Sequence, residues 1–275
     1  MQLPVIRRSA VAEVVEQKKE LLPLSLGNTK LGQAIWHFSL PAISTCPGRT
    51  DDCEAVCYAT QGNYNYDNVQ SRLRYNEVLR RDPGFELLVS NFIRSQLIRV
   101  VRIHVAGDFD TIEYVDKWVR IAMRNPDTIF FAYTRSWRVP NLRKRLLVLA
   151  KLPNVQLWWS CDRQTKAPRK HATVRRAYMA LSDEDIPNYA VDLVFRASRS
   201  TKQVTQGQTL VCPAERQSWA RGRSKKSSTL RKPPRKVTCS QCQLCFNRTG
   251  WLDDMNSRLR QLDQLVSEGG DVHEG

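Results

Sequence analysis

Seven of the eight cysteines of this 275-residue chain fall into two groups. Cys46, Cys53 and Cys57 lie within TCPGRTDDCEAVCYA, and Cys212, Cys239, Cys242 and Cys245 lie within LVCPAE and TCSQCQLCF. In a reducing compartment thiols are available as soft metal ligands, and this spacing reads as metal ligation rather than a disulfide framework. Asp51-Asp52-Cys53-Glu54 reads as a helix start, with Asp51 as N-cap and Glu54 closing a capping box. Cys53 and Cys57 would then share one helix face, and Cys46 would reach in from a tight turn at Pro47-Gly48. A helix N-terminus is expected to lower the thiol pKa toward the ligating thiolate.

Three protein ligands leave one coordination position open, which points to chemistry, whereas structural zinc takes four. Cys161, His37 or His104 would close the site if one of them joined it. The second group supplies a complete set of four. A compact CxxCxxC suits a cubane iron–sulfur cluster, with zinc as the alternative metal.

These cysteines must be carried by a scaffold, and from residue 99 onward the chain alternates between two periods. Apolar, β-rich runs recur at Ala34 to Ala42, Arg99 to Ala106, TIFFAYT, VQLWWSC, YAVDLVFRA and TLVC. Helical patterns lie at residues 10–22, Asn68 to Arg81, Gly84 to Gln96, Thr111 to Arg124, Asn141 to Ala150 and Thr173 to Leu181. In the fourth of these Val115, Trp118, Val119 and Ala122 face inward.

The alternation implies an α/β fold: a parallel sheet of about six strands forming a partial (β/α) barrel, with a C-terminal Cys-rich metal-binding extension. The expected organisation is an N-terminal helical segment at 1–23, the partial-barrel domain at 24–211, a Cys-rich region with a basic loop at 212–250, and a C-terminal helix and tail at 251–275. Parallel α/β folds place their sites at the carboxyl ends of the strands. There the sequence offers Gly107 and Asp108, then Tyr133, Thr134 and Arg135, then Ser160, Cys161 and Asp162, then Arg196 and Ser198. Asp108, Tyr133, Arg135 and Asp162 are the candidate catalytic residues, although Asp108 and Asp162 also suit helix caps.

Charge narrows the partners. With 43 Lys and Arg against 27 Asp and Glu the formal net charge is +16, so a polyanion is the natural partner, nucleic acid ahead of an anionic membrane. Arg216 to Lys236 holds nine basic residues and no acidic one: Arg216, Arg221, Arg223, Lys225, Lys226, Arg231, Lys232, Arg235 and Lys236. Trp219 in the same run can stack on a base, and a metal closing both ends of the loop would hold it in place. RQTKAPRKHATVRR is a second basic stretch. No run spans a bilayer and the first twenty residues hold no uninterrupted apolar core, so a soluble, cytoplasmic protein is expected.

The runs LSLGNTKLG, FSLPAISTCPGRTDDCEAVCYA, VRIHVAGDFDTIEYVDKW and FFAYTRSW resemble the gene-product-88 family of phages and mobile elements, over about residues 24 to 245. That resemblance implies phage association and no defined activity. In plan the chain is also similar to radical S-adenosylmethionine enzymes, which hold an open [4Fe-4S] cluster on a three-Cys loop after the first barrel strand and often carry an auxiliary cluster.

The second likeness implies one or two [4Fe-4S] clusters and S-adenosylmethionine as cofactors. Cys46, Cys53 and Cys57 would hold the open cluster, Gly107 and Asp108 would meet the cofactor's amino group, and Tyr58 would pack near its adenine. The spacing here is Cx6Cx3C rather than the usual Cx3Cx2C, which sets this chain apart from that superfamily. Three functions are therefore in view: a radical-type metalloenzyme acting on nucleic acid, a non-catalytic nucleic-acid-binding protein with structural metal centres, and a divalent-cation hydrolase using Asp108 and Asp162.

Overall fold

A computed structural model describes residues 22–28, 30–182, 185, 187–197, 212 and 238–247. Seven strands form one sheet in the order of the chain: β1 (Ser25–Leu26), β2 (Ile35–Phe38), β3 (Val100–Ile103), β4 (Ile129–Thr134), β5 (Val155–Cys161), β6 (Val174–Ala180) and β7 (Leu193–Arg196). β1 pairs antiparallel with β2, and every later neighbour pair is parallel. The sheet does not close, since β1 and β7 have no strand beyond them among the described residues. When each parallel strand lies beside its predecessor, right-handed crossovers put all connecting helices on the same face.

The helices on that face are α2 (Asp67–Leu79), α3 (Phe85–Ser95), α4 (Ile112–Arg124) and α5 (Pro140–Ala150), while the short α1 (Asp51–Ala55) sits in the first loop. Thr111 caps α4 by accepting from the Tyr114 N–H, and Pro140 opens α5 with its φ already helical. Tyr114, Val115, Trp118 and Ala122 recur on one side of α4, so that side is buried. Trp118 is fully buried and meets Phe38, Phe85 and Phe130 edge-on at centroid distances of 5.8, 5.9 and 6.4 Å. Burying a side chain of this kind stabilises by about 1.5–3 kcal/mol.

The strands alternate cleanly. In β4, Phe130 and Ala132 join the helix-side core, whereas Ile129, Phe131 and Tyr133 face the other side. That second face is covered by Cys212 and by 238–247, through Cys239, Leu244, Cys245 and Phe246.

Two sequence expectations change, and others fall outside the described residues. The run expected as a helix from Thr173 to Leu181 is strand β6, parallel to both β5 and β7. Val174, Tyr178 and Ala180 enter the helix-side core and Ala177 faces the opposite one, so the residues follow a period of two. The β5–β6 crossover, Asp162 to Thr173, contains no helix. The strand expected from Ala34 to Ala42 pairs only over Ile35–Phe38, because the chain then bends into the first cysteine loop. Of the expected strand TLVC only Cys212 is described, and its N–H donates to the Val194 carbonyl beside β7. The helices expected at 10–22 and from Trp251 to Val266 lie, but for residue 22, outside the described residues.

Candidate metal centres

The loop from Ser39 to Thr50 carries Cys46 across the carboxyl ends of β3 and β4. Its start is held by the Leu40 N–H on the Ala106 carbonyl at 2.9 Å. Gly107, at φ +78°, lies under this loop, where a Cβ would come within 2.6 Å of Leu40 Cβ and 2.7 Å of Thr45 Oγ1. Gly48 likewise lies against the Arg135 backbone, with no room for a side chain. From β4's end Arg138 donates to the Gly48 and Arg49 carbonyls at 2.9 and 2.7 Å.

α1 follows, and its cap is Thr50 rather than Asp51. The Thr50 hydroxyl oxygen accepts from the Cys53 N–H at 3.1 Å and donates to Asp162. Glu54 closes no capping box and pairs instead with Arg49. The helix ends at Ala55, so Cys57 lies beyond it and begins a 3-10 turn, Tyr58–Thr60. The shared helix face expected for Cys53 and Cys57 is therefore replaced by a helix and the turn after it.

The loop thus stands on a buried network. Asp162 Oδ2 takes the Thr50 hydroxyl and Arg135 Nη1, the latter at 2.6 Å, with side-chain exposures of 7% for Arg135 and 0% for Asp162. Asp162 also accepts from the Gln164 N–H, and Arg163 holds Asp52 bidentately at 2.7 and 2.9 Å. Neither candidate aspartate caps a helix. Asp108 accepts from the backbone N–H groups of Phe109, Arg135 and Ser136 and so ties the ends of β3 and β4 together.

Burial governs ionisation here. It pushes Cys46 up to about 12, and Asp108, Cys53 and Cys57 push it the same way; it also raises Cys53, against the nearby Arg135. The lowering expected from a helix start is outweighed by lost solvation. Asp108 is raised to about 6 by burial, against the donors around it. The three thiols lie within electrostatic reach of one another, with Arg135, Asp108 and Asp162 beside them.

The candidates for a fourth ligand are engaged elsewhere. Cys161 packs in the helix-side core, and His37 Nδ1 lies 3.3 Å from Ser39 Oγ. His104, at φ +66°, meets Tyr114 through Nε2 at 3.0 Å and packs its ring on Phe109. Tyr58 donates its hydroxyl to the Val105 carbonyl and packs against Tyr64.

The second group sits on the opposite sheet face. α6 (Cys239–Cys242) begins at Thr238, which forms a capping box with Gln241, and Gln243 in the left-handed region turns the chain toward Cys245. Cys239 and Ser240 donate their N–H groups to the carbonyls of Lys30 and Leu31, in the β1–β2 turn. Trp158 Nε1 donates to the Cys245 carbonyl at 2.8 Å, and Arg175 donates to those of Leu244 and Asn247 at 3.2 and 2.7 Å. Burial drives the Cys245 thiol well above its usual pKa, and Cys239, Cys212 and Cys242 add to it, so all four sulphurs share one neighbourhood.

Tyr133, expected at a catalytic site with Arg135, instead faces this second group. Its ring stacks on Trp158 at 5.3 Å, and burial, with Cys245 beside it, raises its phenol far above the ordinary range. Among the described residues, no group of three or more His, Cys, Asp or Glu stands ready to hold a metal ion as placed. The convergence is one of electrostatic neighbourhood, not of formed coordination geometry.

The nine basic residues from Arg216 to Lys236, with Trp219, lie outside the described residues. Sequence reading missed Arg102, Trp158 and Arg175, all three facing the second group. The available signal was an arginine at an inward position of two apolar strands, and Thr238-x-x-Gln241 was a legible capping box.

Strand order and cysteine placement define a mixed, mostly parallel α/β protein with thiol clusters at a strand-end loop and on one sheet face. A model of the family described as Gene product 88 matches residues 14–248, and the chain belongs to that family. It is 33% identical over 129 residues to the Gene 88 protein of Mycobacterium phage L5 and 30% identical over the same length to that of Mycobacterium phage D29. Each match covers 43% of this chain, and the chain spans about half (52%) of the length of these curated relatives. No solved structure matches it. No helix among the described residues is long and apolar enough to cross a membrane.

Proposed function

We propose that this is an iron–sulfur protein of phage type that acts on nucleic acid, with an open centre on Cys46, Cys53 and Cys57 and a closed one on Cys212, Cys239, Cys242 and Cys245. One observation carries the reading: thiols separated by as many as 33 positions, Cys212 and Cys245, pack in one apolar cluster on one face of the sheet. The donor sets fit a soft, highly charged metal group. Buried thiols with raised pKa values are costly as free thiolates, and a bound cation would offset that cost with its own charge, so that the thiols release their protons on binding it.

On this reading the sheet is the wall of a partial (β/α) barrel, and the Cys46 loop crosses its mouth. Cys46, Cys53 and Cys57 bind the open cluster. Thr50, Asp162 and Arg135 fix the helix that carries Cys53, and Gly107 lets the loop descend onto β3. An open four-iron cluster held by Cys46, Cys53 and Cys57 would supply one-electron reduction chemistry toward S-adenosylmethionine, the electron coming from an external reductant. The basic residues from Arg216 to Lys236 engage phosphates, anchored by the cysteines on either side.

Anaerobic purification followed by iron, sulfide and zinc analysis tests the metal assignment, with two [4Fe-4S] clusters expected per chain. Incubation with dithionite and S-adenosylmethionine then tests the chemistry, 5′-deoxyadenosine being the expected product. Iron-loaded protein that never cleaves the cofactor would instead support the non-catalytic reading, with both centres structural. Zinc at the four-cysteine set would replace iron there.

A further inference from the structure

The sheet face that carries the second cysteine group has an unusual charge balance. By strand alternation, the described positions of β2 to β7 pointing to this face include His37, Arg102 and Arg175 but no Asp or Glu. Arg175 lies over Trp158 at 5.5 Å and spends two donors on the carbonyls of Leu244 and Asn247.

Arg102 is placed differently. Its guanidinium lies over the rings of Tyr133 at 5.4 Å and Phe131 at 6.0 Å, and its Nε donates to the His104 carbonyl at 3.1 Å. Among the described residues it forms no ion pair. Phe131 and Tyr133 share one apolar cluster with Cys239 and Cys245, and Phe246 lies 5.4 Å from Phe131. Arg102 is half-buried, and a partly desolvated cation without a carboxylate partner is stabilised by a negative charge placed beside it.

We infer that Arg102 is the counter-charge of a tetrathiolate metal centre on Cys212, Cys239, Cys242 and Cys245, holding the net negative charge that four thiolates leave around a doubly positive metal core, whether a four-iron cluster or a single divalent ion. The inference rests on the metal reading of the second cysteine group and is independent of chemistry at the first. It assigns Arg102 a positioning and electrostatic role, with no contact to substrate.

Cobalt(II) is the probe, because its tetrathiolate complexes have intense sulfur-to-metal charge-transfer bands. The full chain carrying C46S, C53S and C57S isolates the second group. This background is expected to bind one cobalt per chain with a tetrathiolate spectrum. R102Q in the same background should keep that spectrum and lose about tenfold in affinity, measured by chelator competition, which corresponds to roughly 1.4 kcal/mol. R102K, which keeps the charge, should stay within about threefold of the background.

Undiminished affinity in R102Q overturns the counter-charge role while leaving the metal site standing. A folded R102K as weak as R102Q overturns it too, since shape rather than charge would then matter. If R102Q does not fold, R102K alone decides by the same criterion. A background that takes up no cobalt, or takes it up without thiolate bands, removes the four-cysteine centre and this inference with it.

Discussion

Gly107→Ala is the sharpest probe of how the first cysteine loop is built. Two effects add at this position. Its φ of +78° is in the left-handed region, where a Cβ costs about 1–2 kcal/mol. The same Cβ would stand 2.6 Å from Leu40 Cβ, 2.7 Å from Thr45 Oγ1 and 2.9 Å from the Leu40 carbonyl oxygen, an overpacking of about 1–3 kcal/mol. The sum is about 2–5 kcal/mol, or on the order of 5–20 °C in Tm for a domain of this size.

Gly62→Ala is the matched control. It shares a positive φ of +57° but would meet nothing within 4 Å, so only the backbone part applies. Differential scanning calorimetry of both variants therefore isolates packing as the difference between them. Because Thr45 adjoins Cys46, relief of the clash should move the loop, and on the iron–sulfur reading proposed above G107A should also lose iron from the first site while keeping it at the second. Equal destabilisation in the two variants, with iron retained at both sites in G107A, would refute the close docking of this loop on β3.

Three further outcomes are expected. Asp162→Asn removes the partner of a buried Arg135 and should destabilise by about 3–5 kcal/mol, read from urea midpoints at constant m. Asp108, raised to about 6 by burial, binds its proton more tightly folded than unfolded. Its contribution is therefore fully present below about pH 4 and is lost as pH rises through 6, a fall of about 3 kcal/mol that Asp108→Asn should abolish in stability measured against pH. Neutralising Lys225, Lys226, Arg231 and Lys232 together should flatten the salt dependence of duplex DNA binding, by up to about 0.9 for each phosphate left without its cation; an unchanged slope in filter-binding titrations would separate this loop from nucleic acid.

Residue types and spacing were enough to place most elements. Short apolar runs rich in β-branched and aromatic residues marked β3, β4 and β5, and the strand–helix rhythm implied parallel pairing because parallel neighbours require crossovers. The runs Cys46 to Cys57 and Cys239 to Cys245 were legible as cysteine groups because their spacing is local, whereas the packing of Cys212 beside Cys245 came from the fold. The rhythm misled once, at Val174–Ala180, where a crossover without a helix brought two strands into succession and the period of two was the better guide.

Tertiary structure decided the roles of the polar residues. Asp108 and Asp162 had the local signature of helix caps, yet one binds backbone N–H groups from the next strand's end and the other receives Arg135 and Thr50. Tyr133 and Arg135, two residues apart at the end of one strand, lie beside different cysteine groups. Thiol ionisation followed burial rather than the nearby helix start, because desolvation is a property of the packed surroundings. Arg102 acquired its meaning only when the segment carrying Cys239 and Cys245 was laid over it. A sequence names the donors and charges, but which of them share a space without water depends on how distant parts of the chain pack together.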